Sequence, residues 1–251
     1  MMNKFTPIII LSLASFLANS ATITIRSDEW FPMNAAPGAT PAGYMIDFAN
    51  EIFGAAGHQI EYKTMPWERA VNQVRDGKFD CVIGAYTDDA PDFIFPKESW
   101  GTDVSSFYVK ADDNWRFNGD DSLKGKKIGI ISGYSYGDKM DALIKANPST
   151  YKAATGNDAL EKNFKKLNAG RLDIVIESQA VGAAKVSEMG LSANIVSGGE
   201  DGNPTPLFIA CSPSKASSQE YIDIVEKGTK QLRESGKLQQ ILSVYGLIDW
   251  K

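Results

Sequence analysis

The chain has 251 residues, 43% hydrophobic and 23% charged, with a formal net charge of −5. That make-up suits a soluble globular protein of two modest domains or one large one. The acidic balance and the lack of a long basic run set aside nucleic-acid and anionic-membrane partners.

Residues 1–20 read as a secretory signal peptide. A weakly basic start containing Lys4 precedes an apolar run over 7–17, and Ala18-Asn19-Ser20 supplies a small-x-small site with cleavage expected before Ala21. The run is shorter than the roughly 20 residues of a membrane span. No Cys near the cleavage point offers a lipid attachment, so a freely diffusing protein is expected. Residues 22–26 then alternate as a strand. An irregular stretch follows over 28–43, rich in Pro, Gly and Ala. Helical spacing of Ile46, Ala49, Ile52 and Phe53 marks a helix over 44–56 that Gly57 ends. Residues 60–64 read as a strand, and 67–75 as a helix opened by Pro66 and followed by Gly77. The apolar run 79–85 reads as a strand covered on both faces.

Residues 105–110 read as a further strand and 111–125 as a polar connection. A second unit opens with a strand over 127–131, the glycine-bounded turn Gly133-Tyr134-Ser135-Tyr136-Gly137 and a helix over 138–146 that Asn147-Pro148 stops. A helix over 158–167, a strand over 172–176 and a helix over 181–189 complete it. Residues 207–211 read as a strand, and 217–245 as helix broken at Gly236. Alternating strands and helices imply parallel sheets covered by helices. The expected organisation is two α/β lobes. Residues 21–110 and 206–251 form lobe 1, 111–205 form lobe 2, and a two-strand hinge near Lys110 and Pro206 lets the lobes close.

The motifs MPWERA over 65–70, VRDGKFD over 74–80, FIFP over 93–96, SLKGKKIG over 122–129, NAGRLD over 168–173 and GKL over 236–238 stand in a set order. Together with Gly84 they resemble the bacterial extracellular solute-binding proteins of family 3, over nearly the whole exported part. The resemblance implies the type II periplasmic binding protein fold. It also implies capture of a small solute in the periplasm for the permease of an ABC-type importer, by a monomer with no cofactor and no chemistry. In that family an Arg after the third strand usually holds the ligand's carboxylate, a second-lobe helix N-terminus assists, and an Asp after a second-lobe strand takes the ammonium.

This chain departs from that pattern. The segment after Tyr86 reads Thr87-Asp88-Asp89-Ala90-Pro91-Asp92, three acids and no Arg, so the usual amino-acid clamp is missing. The segment is either a solvated acidic loop or a wall that repels carboxylates. Ser178 stands where the family more often has Asp, with Glu177 one residue earlier. Strand neighbours face opposite sides, so Glu177 needs a register change or a finished strand to reach a ligand. Ser135 and its turn offer donors to an acceptor on the ligand, unless the turn is only a tight connection.

Ligand crevices lie at the carboxyl ends of strands, which makes Trp30, Tyr44, Trp67, Tyr86 and Tyr134 candidate aromatic walls and Arg69 the nearest replacement base. The alternative for each aromatic is lobe core. Trp115 reads as structural. The fold implied by the resemblance sets the strand over 207–212 beside that over 79–85, so Cys81 and Cys211 become neighbours. Paired strands rarely suit disulfide geometry, and the sequence leaves open whether the two are bridged or free. Two other functions share the scaffold: a sensor signalling to a membrane receptor, and a dehydratase-like enzyme using Glu177 or Asp88 as acid or base.

Overall fold

The computed structural model describes residues 20–202 and 204–251. The expected signal peptide therefore lies outside the described residues except for Ser20. In chain order the elements are β1 (Thr22–Ser27), α1 (Tyr44–Ala55), β2 (Gln59–Thr64), α2 (Trp67–Arg75), β3 (Cys81–Ala85), β4 (Thr102–Asp103) and β5 (Ser105–Lys110). Then come β6 (Ile128–Ile131), α3 (Asp138–Ala146), β7 (Tyr151–Ala154), α4 (Ala159–Asn168), β8 (Ile174–Ser178), α5 (Gln179–Glu188) and β9 (Ile195–Glu200). The chain returns through β10 (Thr205–Pro206) and β11 (Phe208–Cys211) and finishes with α6 (Ser218–Glu234) and α7 (Lys237–Val244).

The strands form two lobes. The first sheet has the order β11-β3-β1-β2; β1 runs parallel to both neighbours and β11 returns antiparallel to β3. Ile23, Ile25 and Ile83 from this sheet and Phe48 and Phe53 from α1 are fully buried. Gly228 lets α6 approach α1, since a Cβ there would stand 2.5 Å from Ile52. Gly236, at φ 75°, ends α6 and turns the chain into α7, as its place in the sequence predicts.

The second sheet has the order β7-β6-β8-β5-β9. Here one expectation is corrected. Residues 105–110 are not the last strand of lobe 1: β5 pairs antiparallel with both β8 and β9. Its residues Ser106, Phe107, Tyr108 and Val109 are all buried, as a strand with neighbours on both sides demands. The lobes divide instead at β4 and β10, whose residues Thr102 and Asp103 pair with Pro206 and Thr205. The sequence reading also passes over β7 and β9. The first alternates only briefly, and the second carries Gly198 and Gly199. Gly198 earns its place because a Cβ would meet the Trp115 ring at 3.1 Å. Trp115 is structural as expected: its indole N–H donates to the Ser122 carbonyl at 3.0 Å.

Cys81 and Cys211 form a disulfide, one of the two alternatives that the sequence leaves open. The reason lies in the register. Cys211 sits directly across from Cys81, but its own N–H and carbonyl bond to Ile94 on the other side, at 3.0 Å each. The two cysteines thus oppose each other without exchanging backbone bonds, the pairing in which cross-strand side chains come closest.

Candidate functional site

The lobes meet over the carboxyl ends of β1, β3 and β8, and local turns aim the side chains there. After β1 the chain folds back at residues 30–34, where the Trp30 N–H donates to the Asn34 carbonyl at 2.9 Å. Asn34, fully buried, donates to the Asp28 carbonyl and the Tyr62 hydroxyl. That turn fixes Trp30 over the end of β3. Gly84 makes room for it, since a Cβ there would stand 3.3 Å from the indole. From β3 the chain enters a short helical turn at Thr87–Asp89, and the Asp89 carboxylate closes it by accepting the Tyr86 N–H at 2.8 Å.

Trp30, Trp67, Tyr86 and Asp89 of lobe 1 and Tyr134 of lobe 2 line an interlobe cavity of about 20 Å³, room for about one water molecule. Trp30 meets Tyr86 edge-on with centroids 6.1 Å apart, and Trp67 meets Tyr134 edge-on across the lobes at 6.3 Å. The lobes are also bonded to each other directly. The Trp30 indole N–H donates to Glu177 Oε1 at 2.8 Å, Tyr134 OH to Asp28 Oδ2 at 2.5 Å, and the Ser135 N–H to Asp89 Oδ1 at 2.9 Å. At the rim Ser132 donates to Glu68 at 3.0 Å, and Lys185 pairs with Glu29 at 3.3 Å. Gly133 lies so close to lobe 1 that a Cβ would stand 2.6 Å from that of Glu68.

Four carboxylates gather here: Asp28, Asp89, Asp103 and Glu177. Asp103, on the hinge strand β4, accepts Ser178 OH at 2.6 Å and Tyr86 OH at 2.7 Å. Glu177 Oε1 also accepts the Ser178 N–H at 2.9 Å, while Glu177 Oε2 is buried without any donor. Burial disfavours the charged form of each. It pushes Asp28 and Asp103 up to about 6, Asp89 to about 7 and Glu177 to about 8, against the opposing pull of their hydrogen bonds. Burial likewise holds the Tyr86, Tyr134 and Tyr136 hydroxyls well above the ordinary phenol value, so they stay neutral donors.

The structure brings together Trp30, Trp67, Tyr86 and Tyr134 as cavity walls and Glu177 behind Trp30. Ser135 is at hand but engaged: its N–H goes to Asp89 and its hydroxyl to Asp141 at 2.8 Å. Two candidates lie elsewhere. Tyr44 is a core residue of α1, packed edge-on against Phe48 and Tyr245, because its position on the helix faces the lobe interior. Arg69 is exposed in a separate groove lined by Asn72 and Asp76 of lobe 1 and Thr155 and Gly156 of lobe 2, two residues past Trp67 and so on the opposite side of α2 from it. The acidic segment divides by residue. Asp92 pairs with Arg75 outside, Asp88 is exposed, and Asp89 alone turns inward.

Two α/β lobes, crossed twice by the chain and closing on a polar-aromatic cleft, define a bilobal ligand-binding architecture. The chain matches the bacterial extracellular solute-binding proteins, family 3, over residues 23–247, and it belongs to that family. The fold is that of the type II periplasmic binding proteins. An ancestral arginine-binding protein bound to arginine superposes with a TM-score of 0.74 at 21% identity, over 90% of this chain and 97% of that one. An ABC uptake transporter substrate-binding protein from Streptococcus pneumoniae with bound histidine gives 0.74 at 15% identity, over 92% and 95%. A histidine kinase sensor domain with similarity to periplasmic binding proteins gives 0.75 at 17% identity, over 89% and 95%. No curated protein matches the chain.

Proposed function

We propose that the protein captures a small polar solute between its two lobes in the periplasm and presents it, as a monomer, to the membrane permease of an ABC-type importer, without chemistry of its own. The observation that carries this reading is the set of bonds from Trp30, Asp28 and Asp89 of lobe 1 to Glu177, Tyr134 and Ser135 of lobe 2. The groups that would meet a solute are the same groups that latch the lobes. Solute capture and lobe closure are thereby linked. The Cys81–Cys211 bridge supports an oxidising compartment, and the family match supports extracytoplasmic solute binding.

Mass spectrometry of the purified protein, to identify any solute carried through, and a thermal-shift screen across polar metabolites test the proposal. A binder raises the melting temperature by an amount that grows with the logarithm of ligand concentration over Kd. No shift with any small solute would overturn the reading. The likeness to a histidine kinase sensor domain gives a second reading, ligand sensing through a membrane receptor, some independent support. Pull-down of a permease or of a receptor kinase separates the two. The dehydratase-like alternative loses Asp88, which is exposed and so not desolvated. It now requires turnover of the bound ligand that Glu177→Gln abolishes.

A further inference from the structure

Every hydrogen bond that the cleft carboxylates accept comes from a neutral group: Trp30, Ser178, Tyr134, Tyr86 and the Ser135 backbone among them. Among the described residues no Lys or Arg forms an ion pair with any of the four, and the leading charges acting on Asp28, Asp89 and Glu177 are other acids. The nearest bases are spent or turned away: Lys185 pairs with Glu29 and Glu188, and Arg69 faces solvent. A buried cluster of one sign is costly unless something neutralises it.

Two polar atoms at the cluster lie buried and short of partners. Glu177, 2% exposed, keeps Oε2 without a donor, and the indole N–H of Trp67, 4% exposed and on the cavity wall, has the Asp89 carboxylate beside it but makes no well-formed hydrogen bond. Anions are poorly served at the same place. The Ser135 N–H, the donor that the lobe 2 turn presents to lobe 1, is already taken by Asp89. A ligand carboxylate would have to displace that acid and then lie among three more. The walls are aromatic faces, which attract organic cations. Among the described residues no three acids, His or Cys converge as metal ligands.

Resting on the solute-binding reading above, we infer that the solute is a small organic cation, bearing an ammonium or guanidinium group and no carboxylate. The closed cavity holds about one water, so the solute enters by parting the lobes. Its N–H groups then take the place of Tyr134 and Ser135 on Asp28 and Asp89 and reach the open Oε2 of Glu177 behind Trp30. The aromatic rings of Trp30 and Trp67 cover its carbon skeleton. The Asp89–Ser135 bond does within the protein what a ligand carboxylate would otherwise do.

Matched pairs differing only by the carboxylate test this: agmatine against arginine, putrescine against ornithine, and cadaverine against lysine, by titration calorimetry on the full exported chain. At least one decarboxylated member is expected to bind about tenfold or more tightly than its amino acid. Glu177→Gln is expected to weaken that amine about tenfold or more, the worth of a hydrogen bond to a charged group. Asp28→Asn provides a second variant should Glu177→Gln fail to melt cooperatively. Asp88→Asn, on the exposed side of the same loop, is expected to change nothing. Amino acids binding as well as their amines, or a neutral or anionic solute from the wider screen binding alone, would overturn the cation inference and leave the solute-binding reading standing. Failure of every solute, charged or not, would overturn both.

Discussion

The two ends of β3 each carry an aspartate removed from solvent, and the two are treated in opposite ways. Before the strand, Asp80 accepts the Thr24 N–H at 2.8 Å, the Thr24 hydroxyl at 2.5 Å and Lys215 Nζ at 2.5 Å. Burial raises its pKa, but Lys215 and the Thr24 bonds outweigh that and hold the carboxyl below the ordinary range. The disulfide from Cys81 adjoins it. After the strand, Asp89 has two backbone N–H partners, the Trp67 indole beside it and no cation, and burial takes it up to about 7. One end is satisfied and cross-linked; the other keeps its acids short of positive charge. The contrast teaches that the fold is secured at the amino end of the sheet and left unbalanced at the carboxyl end, where a solute can supply what is missing.

The largest effects are expected at the secured end. The double variant Cys81→Ser, Cys211→Ser is expected to lose about 4 kcal/mol in urea unfolding, since the bridge closes a very long loop. A loss below about 1 kcal/mol would show that β3 and β11 are held by packing alone. Asp80→Asn is expected to cost about 2 kcal/mol, because the amide oxygen can still accept from Thr24 but the charge is gone and an NH2 group faces Lys215. The same change at the other end is expected to cost much less. Asp89→Asn gives up one of two backbone N–H acceptors but also removes a buried charge that only neutral groups accompany, so the ligand-free protein is expected to stay within about 0.5 kcal/mol of the parent at pH 8. Equal costs at positions 80 and 89 would break the comparison.

The pH profile sharpens it. Asp28, Asp89, Asp103 and Glu177 have folded-state pKa values raised to about 6, 7, 6 and 8, above those of an unfolded chain. The folded protein therefore holds more protons than the unfolded chain in the window from about 4 to 8, and stability falls as pH rises through it. The facing Tyr86, Tyr134 and Tyr136 stay neutral there and do not offset this. Asp80 contributes in the other direction, its stabilisation being lost only as pH falls below the ordinary carboxylate range. The ligand-free melting temperature is expected to drop by several degrees between pH 5 and pH 8 at fixed ionic strength. The double variant Asp89→Asn, Glu177→Gln is expected to flatten the drop. A profile that rises toward pH 8 would show that the cleft acids are not buried as a group.

Much of this contrast was legible in the residues, and unevenly so. The alternation of strands and helices gives both lobes, because apolar runs such as 79–85 and helix spacing such as Ile46 to Phe53 are local signals. β5 goes to the wrong lobe because SSFYVK carries no mark of its partners; pairing with β8 and β9 is long-range. The aromatic walls follow from the rule that ligands lie at strand ends. That rule also reaches Asp28, directly after β1, although no local pattern marks it. Asp89 reads only as one of three acids, since nothing local separates it from Asp88 or Asp92. Asp103 gives no signal at all, because β4 is two residues long and its role depends on Tyr86 and Ser178 from distant segments.

Smaller effects should come from closure and from the residues that lie outside the cleft. Gly133 has φ 82° and almost touches Glu68 across the lobes. Gly133→Ala adds strain in the left-handed region and a contact that neither backbone can easily yield. It is expected to weaken solute binding about fivefold and to expand the ligand-bound form in small-angle scattering, with little effect on overall stability. Unchanged affinity would mean that the lobes bind solute without approaching this closely. Arg69→Ala is expected to have the smallest effect, within about twofold. Removing an exposed cation that lies outside the aromatic cavity leaves the cleft acids with the same neutral partners. A clear loss of binding on Arg69→Ala would mean that α2 rotates on closure and delivers a base to Asp89, and the charge imbalance at the carboxyl end of β3 would then be met by the protein itself rather than by its solute.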